Sequence, residues 1–336
     1  MAAQPPSRIS WCSHLMGAPR HILEPRPPPR RLSIVVPCHN ESQVLPLLRA
    51  RFEALPCQGL EFVLVNDGST DETIFALVDW AKADPRAKVI HLARNFGHQA
   101  AVTAGLERAT GDAIVIIDAD LQDPPELIPE MVKLYEAGYD VVYGQRTARE
   151  GETAFKRLSA WIFYRAMRML VQPDLPADAG DFRLISRRLL DALKELRETH
   201  RFLRGMVNWV GFPQVPIGYK RDARAAGETK YPLSKMLKFA WTAALSFSPA
   251  PLRLSFLIGL VMTLVGISYG IYAVWRVAMG LYVVPGWTSL IVSVCLIGGS
   301  TQLSLGILGE YVARIFEEAK GRPLYLVART YNLDPP

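Results

Sequence analysis

The chain is 336 residues long, half of them hydrophobic, with a formal net charge of +6. Its length suits two units, since single domains run to about 100–200 residues. Residues 1–31 set Arg8, Arg20, Arg26, Arg30 and Arg31 against Glu24 alone, so the remainder is nearly balanced. That remainder lacks the interleaved basic and aromatic pattern of a nucleic-acid face, and no nucleic-acid partner is expected.

Residues 1–31 are rich in Pro and Arg and lack the continuous apolar core of a secretory signal, which predicts a disordered extension. Residues 32–37 form a β-branched run stopped by Pro37, followed by the polar Cys38-His39-Asn40-Glu41 and an amphipathic helix through Leu45, Leu48 and Phe52. A second strand over 61–66 ends at Asp67, which by shape alone is as much a turn residue as a functional one. Ser69 and Glu72 have capping-box spacing, so a helix is expected to start there. A third strand covers 88–92, and a small-residue helix 98–109.

Residues 114–117 are an apolar strand that ends in Asp118 and Asp120, then Pro124-Pro125. Carboxylates delivered to the C-terminal edge of a buried strand lie where ligands sit in open α/β sheets, and a mere solubilising loop fits such a strand poorly. Such carboxylates suit a hard divalent cation on a diphosphate. With a fifth strand over 140–144, the alternation predicts a mainly parallel, doubly wound, Rossmann-like α/β sheet.

A charged segment over 145–152 leads to a helix with Lys156 and Arg157, and is expected to be a mobile basic loop beside the carboxylate edge. An ordinary solvated helix face explains those two cations equally well. A turn over 178–181 enters another short strand, and helices follow over 189–196 and 200–210. A second basic, glycine-containing segment spans 220–231. Residues 233–247 place Lys235 and Lys238 among Leu237, Phe239 and Trp241, the pattern of a helix lying in the membrane interface. A core-packed surface helix is the alternative, disfavoured by the apolar spans that follow.

Residues 254–275 and 287–309 carry no charge, and each matches the roughly 20 residues needed to cross hydrocarbon. Lys230, Lys235, Lys238 and Arg253 precede the pair while Arg314, Lys320 and Arg322 follow it. The positive-inside rule therefore puts both termini in the cytosol, in a multi-pass protein of the cell's inner membrane. Gly266 with Gly270, and Ser300 with Ser304, are small-residue pairs suited to close helix approach and a homo-oligomer. The expected divisions are 1–31 extension, 32–229 catalytic domain, 230–251 juxtamembrane segment, 252–310 two-helix anchor and 311–336 C-terminal tail. His39, His91 and His98 show no ligand-like spacing and are read as structural. Cys12, Cys38, Cys57 and Cys295 lack CxxC spacing, so neither a zinc site nor a disulfide framework is expected.

Metal-binding carboxylates, a polar pocket at the first strand's edge and two basic segments together suit a nucleotide-diphosphate donor. Tethering to a bilayer implies a lipid as the second substrate. Transfer of a sugar from nucleotide to lipid is the economical reading.

The segments Ile34-Val35-Val36-Pro37-Cys38-His39-Asn40-Glu41, Val65-Asn66-Asp67-Gly68-Ser69-Thr70-Asp71, Asp118-Ala119-Asp120-Leu121-Gln122-Asp123-Pro124-Pro125-Glu126, Gly144-Gln145-Arg146 and Gly180-Asp181-Phe182-Arg183-Leu184 resemble the family 2 inverting glycosyltransferases of GT-A fold. The two apolar spans and Leu305-Gly306-Ile307-Leu308-Gly309-Glu310-Tyr311 resemble its polyprenyl-phosphate branch, which includes dolichyl-phosphate mannose synthases and bactoprenol glucosyltransferases. The match covers roughly residues 32–327; Asp-x-Asp alone is weak, but the ordered set is specific. The resemblance implies transfer from a UDP- or GDP-linked sugar to polyprenyl phosphate with Mg²⁺ or Mn²⁺. It implies that Pro37, Asn40, Glu41 and Asp67 hold the nucleoside, and that Asp118, Asp120 and Gln122 serve metal and diphosphate. It places Arg146 and the segment from Arg224 to Lys230 near phosphates, and Lys156 or Arg157 at the acceptor phosphate. The family's general base falls on Asp181. A phosphate monoester, with a second pKa near about 6, needs orientation more than deprotonation, so Asp181 is expected to position the acceptor, through a basic residue. A processive polysaccharide synthase would carry Gln-x-x-Arg-Trp and more spans, and a non-catalytic binder would have lost the carboxylates.

Overall fold

The computed structural model describes residues 22–146, 179–196, 198–199, 201–219, 250–280 and 286–333. The expected helix bearing Lys156 and Arg157, the segment containing Arg224 and Lys230, and the interfacial helix over 233–247 lie outside them.

Eight strands form one mixed sheet: β1 (Leu32–Cys38), β2 (Leu60–Asn66), β3 (Ala87–Leu92), β4 (Ala113–Ile116), β5 (Val141–Arg146), β6 (Ala179–Ser186), β7 (Gln214–Tyr219) and β8 (Val327–Tyr331). Their order is β7-β5-β6-β4-β1-β2-β3-β8. β1 pairs in parallel with β2 and β4, β2 with β3, and β5 with β7; β6 runs antiparallel to β4 and β5, as β8 does to β3. This is the mixed α/β sheet of a GT-A fold.

β1 and β2 are buried at every position, because helices cover both faces, and they therefore read as continuous apolar runs. On one face α1 (Leu45–Glu53), α2 (Thr73–Ala83) and α4 (Ile128–Glu136) bring Leu48, Phe52, Leu77, Trp80 and Met131 onto the sheet, with Phe52 stacked on Phe62 at 5.6 Å. The other face takes α3 (His98–Arg108), α5 (Arg187–Glu195) and α6 (Leu203–Val210), through Ala101, Val102, Leu189, Leu190 and Met206. The small residues of α3 let it lie close to the sheet, since a Cβ on Gly105 would run into Val35.

Four local expectations change. Ser69 does not cap α2: its hydroxyl donates to Asn66, and Asp71 Oδ1 instead accepts from Thr73 N at 3.0 Å. Residues 22–31 of the expected disordered extension are ordered, with Arg26 Nη1 3.2 Å from Asp140 and the amides of Arg30 and Arg31 donating to Asp112. The second apolar helix does not stop near residue 310 but runs on to Ala319. Nor do residues 311–336 form a plain tail, because β8 returns to pair with β3. Asn332 at φ 55°, a conformation Asn tolerates, donates to the carbonyls of Ala81 and Ala87 at 2.7 and 2.8 Å.

The apolar helices are α7 (Ala250–Ala278) and α8 (Trp287–Ala319). Both are long and apolar enough to cross a membrane, over Ser255–Tyr272 and Val292–Ala319. At 1.5 Å per residue α8 reaches about 50 Å, beyond the roughly 30 Å of hydrocarbon. Its far end meets the sheet domain, where Glu318 accepts from Thr199 N and Oγ1 at 2.7 and 2.8 Å.

One buried charge is structural. Glu61 accepts from the Ser33 hydroxyl, Lys88 Nζ, and Thr110 N and Oγ1 at 3.0 and 2.7 Å. Burial would raise its pKa, but these donors outweigh burial and bring it down to about 2. A depressed acid stabilises the fold fully above its unfolded value and loses that contribution as pH falls through about 2; the contribution is worth about 3 kcal/mol at neutral pH. Glu61→Gln is expected to cost a similar amount and to lower the detergent-solubilised protein's melting midpoint by about 10 °C. A midpoint within 2 °C of the parent would refute this.

Candidate active site

The C-terminal ends of β1 to β4 share one sheet edge because these strands are parallel. β6 is antiparallel to β4 with Ile116 opposite Arg183, so its N-terminal end comes to the same edge. Asp118 lies two residues beyond Ile116 and Asp181 two residues before Arg183, and both carboxylates come within 4 Å of His98 Nε2. The two aspartates are far apart in the chain, and the strand pairing is what joins them.

The loops after β1, β2 and β3 knit into one wall. Asn40, at φ 58°, accepts from Thr70 N at 2.8 Å through its side chain, and Glu41 N donates to Thr73 Oγ1 at 2.8 Å. Asp67 is buried, and its carboxylate accepts from Phe96 N and Gly97 N at 2.7 and 3.0 Å, so it fixes the entrance to α3. A Cβ on Gly68 would strike the backbone of Arg94, which shows how closely the second and third loops approach. Pro37, Asn40, Glu41 and Asp67 thus gather at one end of the edge.

Asp118, Asp120 and Gln122 occupy the loop after β4. Leu121 at φ 58° makes it tight, and Asp120 Oδ1 accepts from Gln122 N at 3.1 Å. Asp123 is buried and takes the hydroxyl of Tyr219, whose ring meets Phe182 edge-on at 6.0 Å. Asp118 Oδ1 is buried and has no hydrogen-bond donor. Burial pushes the Asp118 carboxyl up to about 6; His98 opposes this, while Asp181, Asp120 and Asp123 reinforce it. A buried carboxylate oxygen is acceptor-only, and a cation would satisfy it. Among the described residues no three His, Cys, Asp or Glu side chains form a ready cage. That suits a Mg²⁺-like ion, which takes one or two carboxylates and fills its remaining positions with water and phosphate.

Asp181 is the third part. Arg204 grips it side-on, Nε and Nη2 lying 2.7 and 3.0 Å from its two oxygens. Arg183 Nη2 is 4.0 Å away and also donates to Gly180 O at 2.9 Å. His98 Nε2 lies 3.4 Å from Asp181 and 3.7 Å from Asp118, bridging the two. Burial works against the Asp181 anion, but the His98 contact and the Arg204 charge prevail and hold its pKa well below the usual carboxylate range. Burial lowers the His98 pKa, while Asp181 and Asp118 more than offset it, so the imidazole is more basic than usual. Burial brings Arg183 down to about 10, and it stays cationic at neutral pH.

The residues that sequence reasoning missed are His98 and Arg204. His98 opens α3 directly after Gly97, at φ 96°, in a loop leading from the same edge, and that position was the available signal. Arg204 lies in a helix anticipated without a role. Arg146 closes β5 opposite Tyr219, and its side chain lies outside the described residues, as do Lys156, Arg157, Arg224 and Lys230.

Residues 33–194 match the family described as glycosyl transferase family 2. An uncharacterised glycosyltransferase of Bacillus subtilis is 47% identical over 305 residues, covering 90% of this chain and 94% of that one. A prophage bactoprenol glucosyl transferase homologue of Escherichia coli is 37% identical over 89% of this chain and 99% of its own. Among solved structures, glucosyl-3-phosphoglycerate synthase from Mycobacterium tuberculosis, in complex with Mn²⁺, uridine diphosphate and phosphoglyceric acid, is 20% identical. It covers 64% of this chain and 76% of its own, at a TM-score of 0.48.

Proposed function

The chain belongs to glycosyl transferase family 2, and on that premise we propose that it moves a sugar, with inversion, from a UDP- or GDP-linked donor to polyprenyl phosphate at a membrane. The observation that carries this reading is the extent of the likeness to a bactoprenol glucosyl transferase homologue, which takes in nearly all of that relative and so includes the apolar helices. The edge chemistry agrees with it. Asp118 and Asp120, with Gln122 beside them, would hold Mg²⁺ or Mn²⁺, and the buried Asp118 Oδ1, which no hydrogen-bond donor reaches, supports that role. When bound, such an ion supplies positive charge to the departing diphosphate.

The chain's own residues do the remaining work. Pro37, Asn40, Glu41 and Asp67 form the wall for the nucleoside, Asp67 chiefly by fixing the loop at Phe96 and Gly97. Arg146, Arg224 and Lys230 meet donor phosphates, and Lys156 or Arg157 the acceptor's. Asp181 orients and does not deprotonate, since its low basicity makes it a poor proton acceptor. The helical hairpin crosses the inner membrane with both ends cytosolic, and the small-residue pairs on α7 and α8 support self-association.

Membranes containing the protein, given a panel of radiolabelled nucleotide sugars, Mg²⁺ or Mn²⁺ and polyprenyl phosphate, should yield one labelled lipid-linked product with one preferred donor. No lipid-linked label with any donor would overturn the reading.

A further inference from the structure

The last turns of α8 are tied to the catalytic edge. The charge-free part of this helix ends at Gly309, and from Glu310 to Ala319 it also carries Arg314, Glu317 and Glu318, so roughly 15 Å of helix stands outside the hydrocarbon. In the final turn both oxygens of Glu318 are engaged by one residue, accepting from Thr199 N at 2.7 Å and Thr199 Oγ1 at 2.8 Å. The chain leaving α8 makes a second contact, where the Tyr325 hydroxyl donates to Glu107 Oε2. Hydrogen bonds to a carboxylate are about twice as strong as neutral ones, and two on one carboxylate fix direction as well as distance.

Those two contacts fall on the elements that hold Asp181. Thr199 lies shortly before Leu203, whose amide donates to Gln99 Oε1 at 3.1 Å, and the next residue, Arg204, grips Asp181 at 2.7 and 3.0 Å. Glu107 is in the last turn of α3, and the same helix begins with His98, 3.4 Å from Asp181. A short helix moves as a rigid rod, so a shift imposed at Glu107 is felt at His98. The two contacts border a cavity of about 590 Å³ whose lining includes Lys194, Arg201 and Arg322. A clamp beside open space can give way without unpacking a core, so its loss shifts geometry more than stability.

We propose that Glu318 is a positioning residue for transfer: by clamping Thr199 it lets the membrane-borne helix α8 set where Asp181 presents the acceptor phosphate. This rests on the transferase reading given above, with α8 crossing the membrane, and deepens it. A membrane helix answers a change in hydrocarbon thickness by tilting, and the far end of a 33-residue helix moves most. The phosphate of a lipid acceptor is held at the same bilayer surface. A firm link from α8 to the supports of Asp181 therefore keeps the orienting group at the height where that phosphate arrives. The wall at Asn40, Glu41 and Asp67 belongs to the loops after β1 and β2, so nucleotide binding is independent of the clamp.

The test uses the full chain reconstituted in phosphatidylcholine vesicles with undecaprenyl phosphate and the donor preferred in the panel above. Glu318→Ala is expected to lower kcat by about 3–30-fold, to leave the donor KM within about twofold and to keep the melting midpoint within a few degrees of the parent. Thr199→Ser keeps both contacts and should retain kcat. Thr199→Val added to Glu318→Ala should cost little more, because the two residues act as one unit. Across vesicles from dimyristoleoyl to dierucoyl phosphatidylcholine, the unsubstituted protein should show a kcat optimum at one thickness, and Glu318→Ala should flatten it. A Glu318→Ala enzyme with unchanged kcat, or one whose thickness profile keeps the parent's shape, overturns the assignment while the transferase reading stands. So does a flat profile in the unsubstituted protein, a result that no folding defect can explain. An unsubstituted enzyme that makes no lipid-linked product from any donor removes both.

Discussion

Asp118→Asn is expected to lower transfer by about 10³-fold, equivalent to about 4 kcal/mol of barrier, while raising the melting midpoint of the metal-free protein by a few degrees. The two effects have one cause. Asp118 is half-buried, its Oδ1 is buried without a hydrogen-bond donor, and Asp120, Asp123 and Asp181 surround it with like charge. A neutral isostere removes that repulsion, which a fold selected only for stability would not keep. In the reaction proposed above, it would also remove a ligand from the ion that balances the leaving diphosphate. Initial rates at saturating donor, together with melts in EDTA, check both halves. Retention of more than a tenth of the activity would show that Asp118 is not part of the machinery. Loss of activity with a lowered melting point would show that the carboxylate is structural.

Asp181→Asn is expected to lower kcat by about 10²–10³-fold, with the same deficit at pH 6, 7.5 and 9. If Asp181 removed a proton from the acceptor, raising the pH would supply the missing base and activity would return by pH 9. An acceptor phosphate with its second pKa near about 6 is already mostly dianionic at neutral pH. Asp181, gripped by Arg204 and His98, binds a proton poorly. Asparagine presents an amide to the guanidinium in place of a charge, and Arg204 loses its direction at every pH. Full recovery at pH 9 would identify a general base and refute the positioning role.

β1, β2 and β4 were legible because each is buried at every position, and an apolar run ending in polar residues marks both a strand and the edge where a site is expected. Asp118 and Asp120 were found for that reason. His98 was not, because its partners lie at 118 and 181 and only the antiparallel register of β4 with β6 brings those positions together. No spacing rule within the chain encodes that meeting. Arg204 was passed over in the same way, as one cation in an amphipathic helix. The Ser69 and Glu72 pattern failed as a cap because the Ser69 hydroxyl is drawn back to Asn66. β8 escaped notice because Val-Ala-Arg-Thr-Tyr is short, half-exposed and follows an apolar helix, where nothing local distinguishes an edge strand from a tail.

That last strand bears on how the protein is made. β3 has its outer edge free until Val327–Tyr331 arrives, and Asn332 closes on a carbonyl 245 residues earlier in the chain. At about 5–20 residues per second, the ribosome needs roughly 10–50 s to cover that distance, and both apolar helices emerge in the interval. The sheet is therefore completed only after both apolar helices have been synthesised. A chain cut short within α8 would carry an open strand edge, the feature that invites edge-to-edge aggregation, even though every residue of the catalytic edge was already in place.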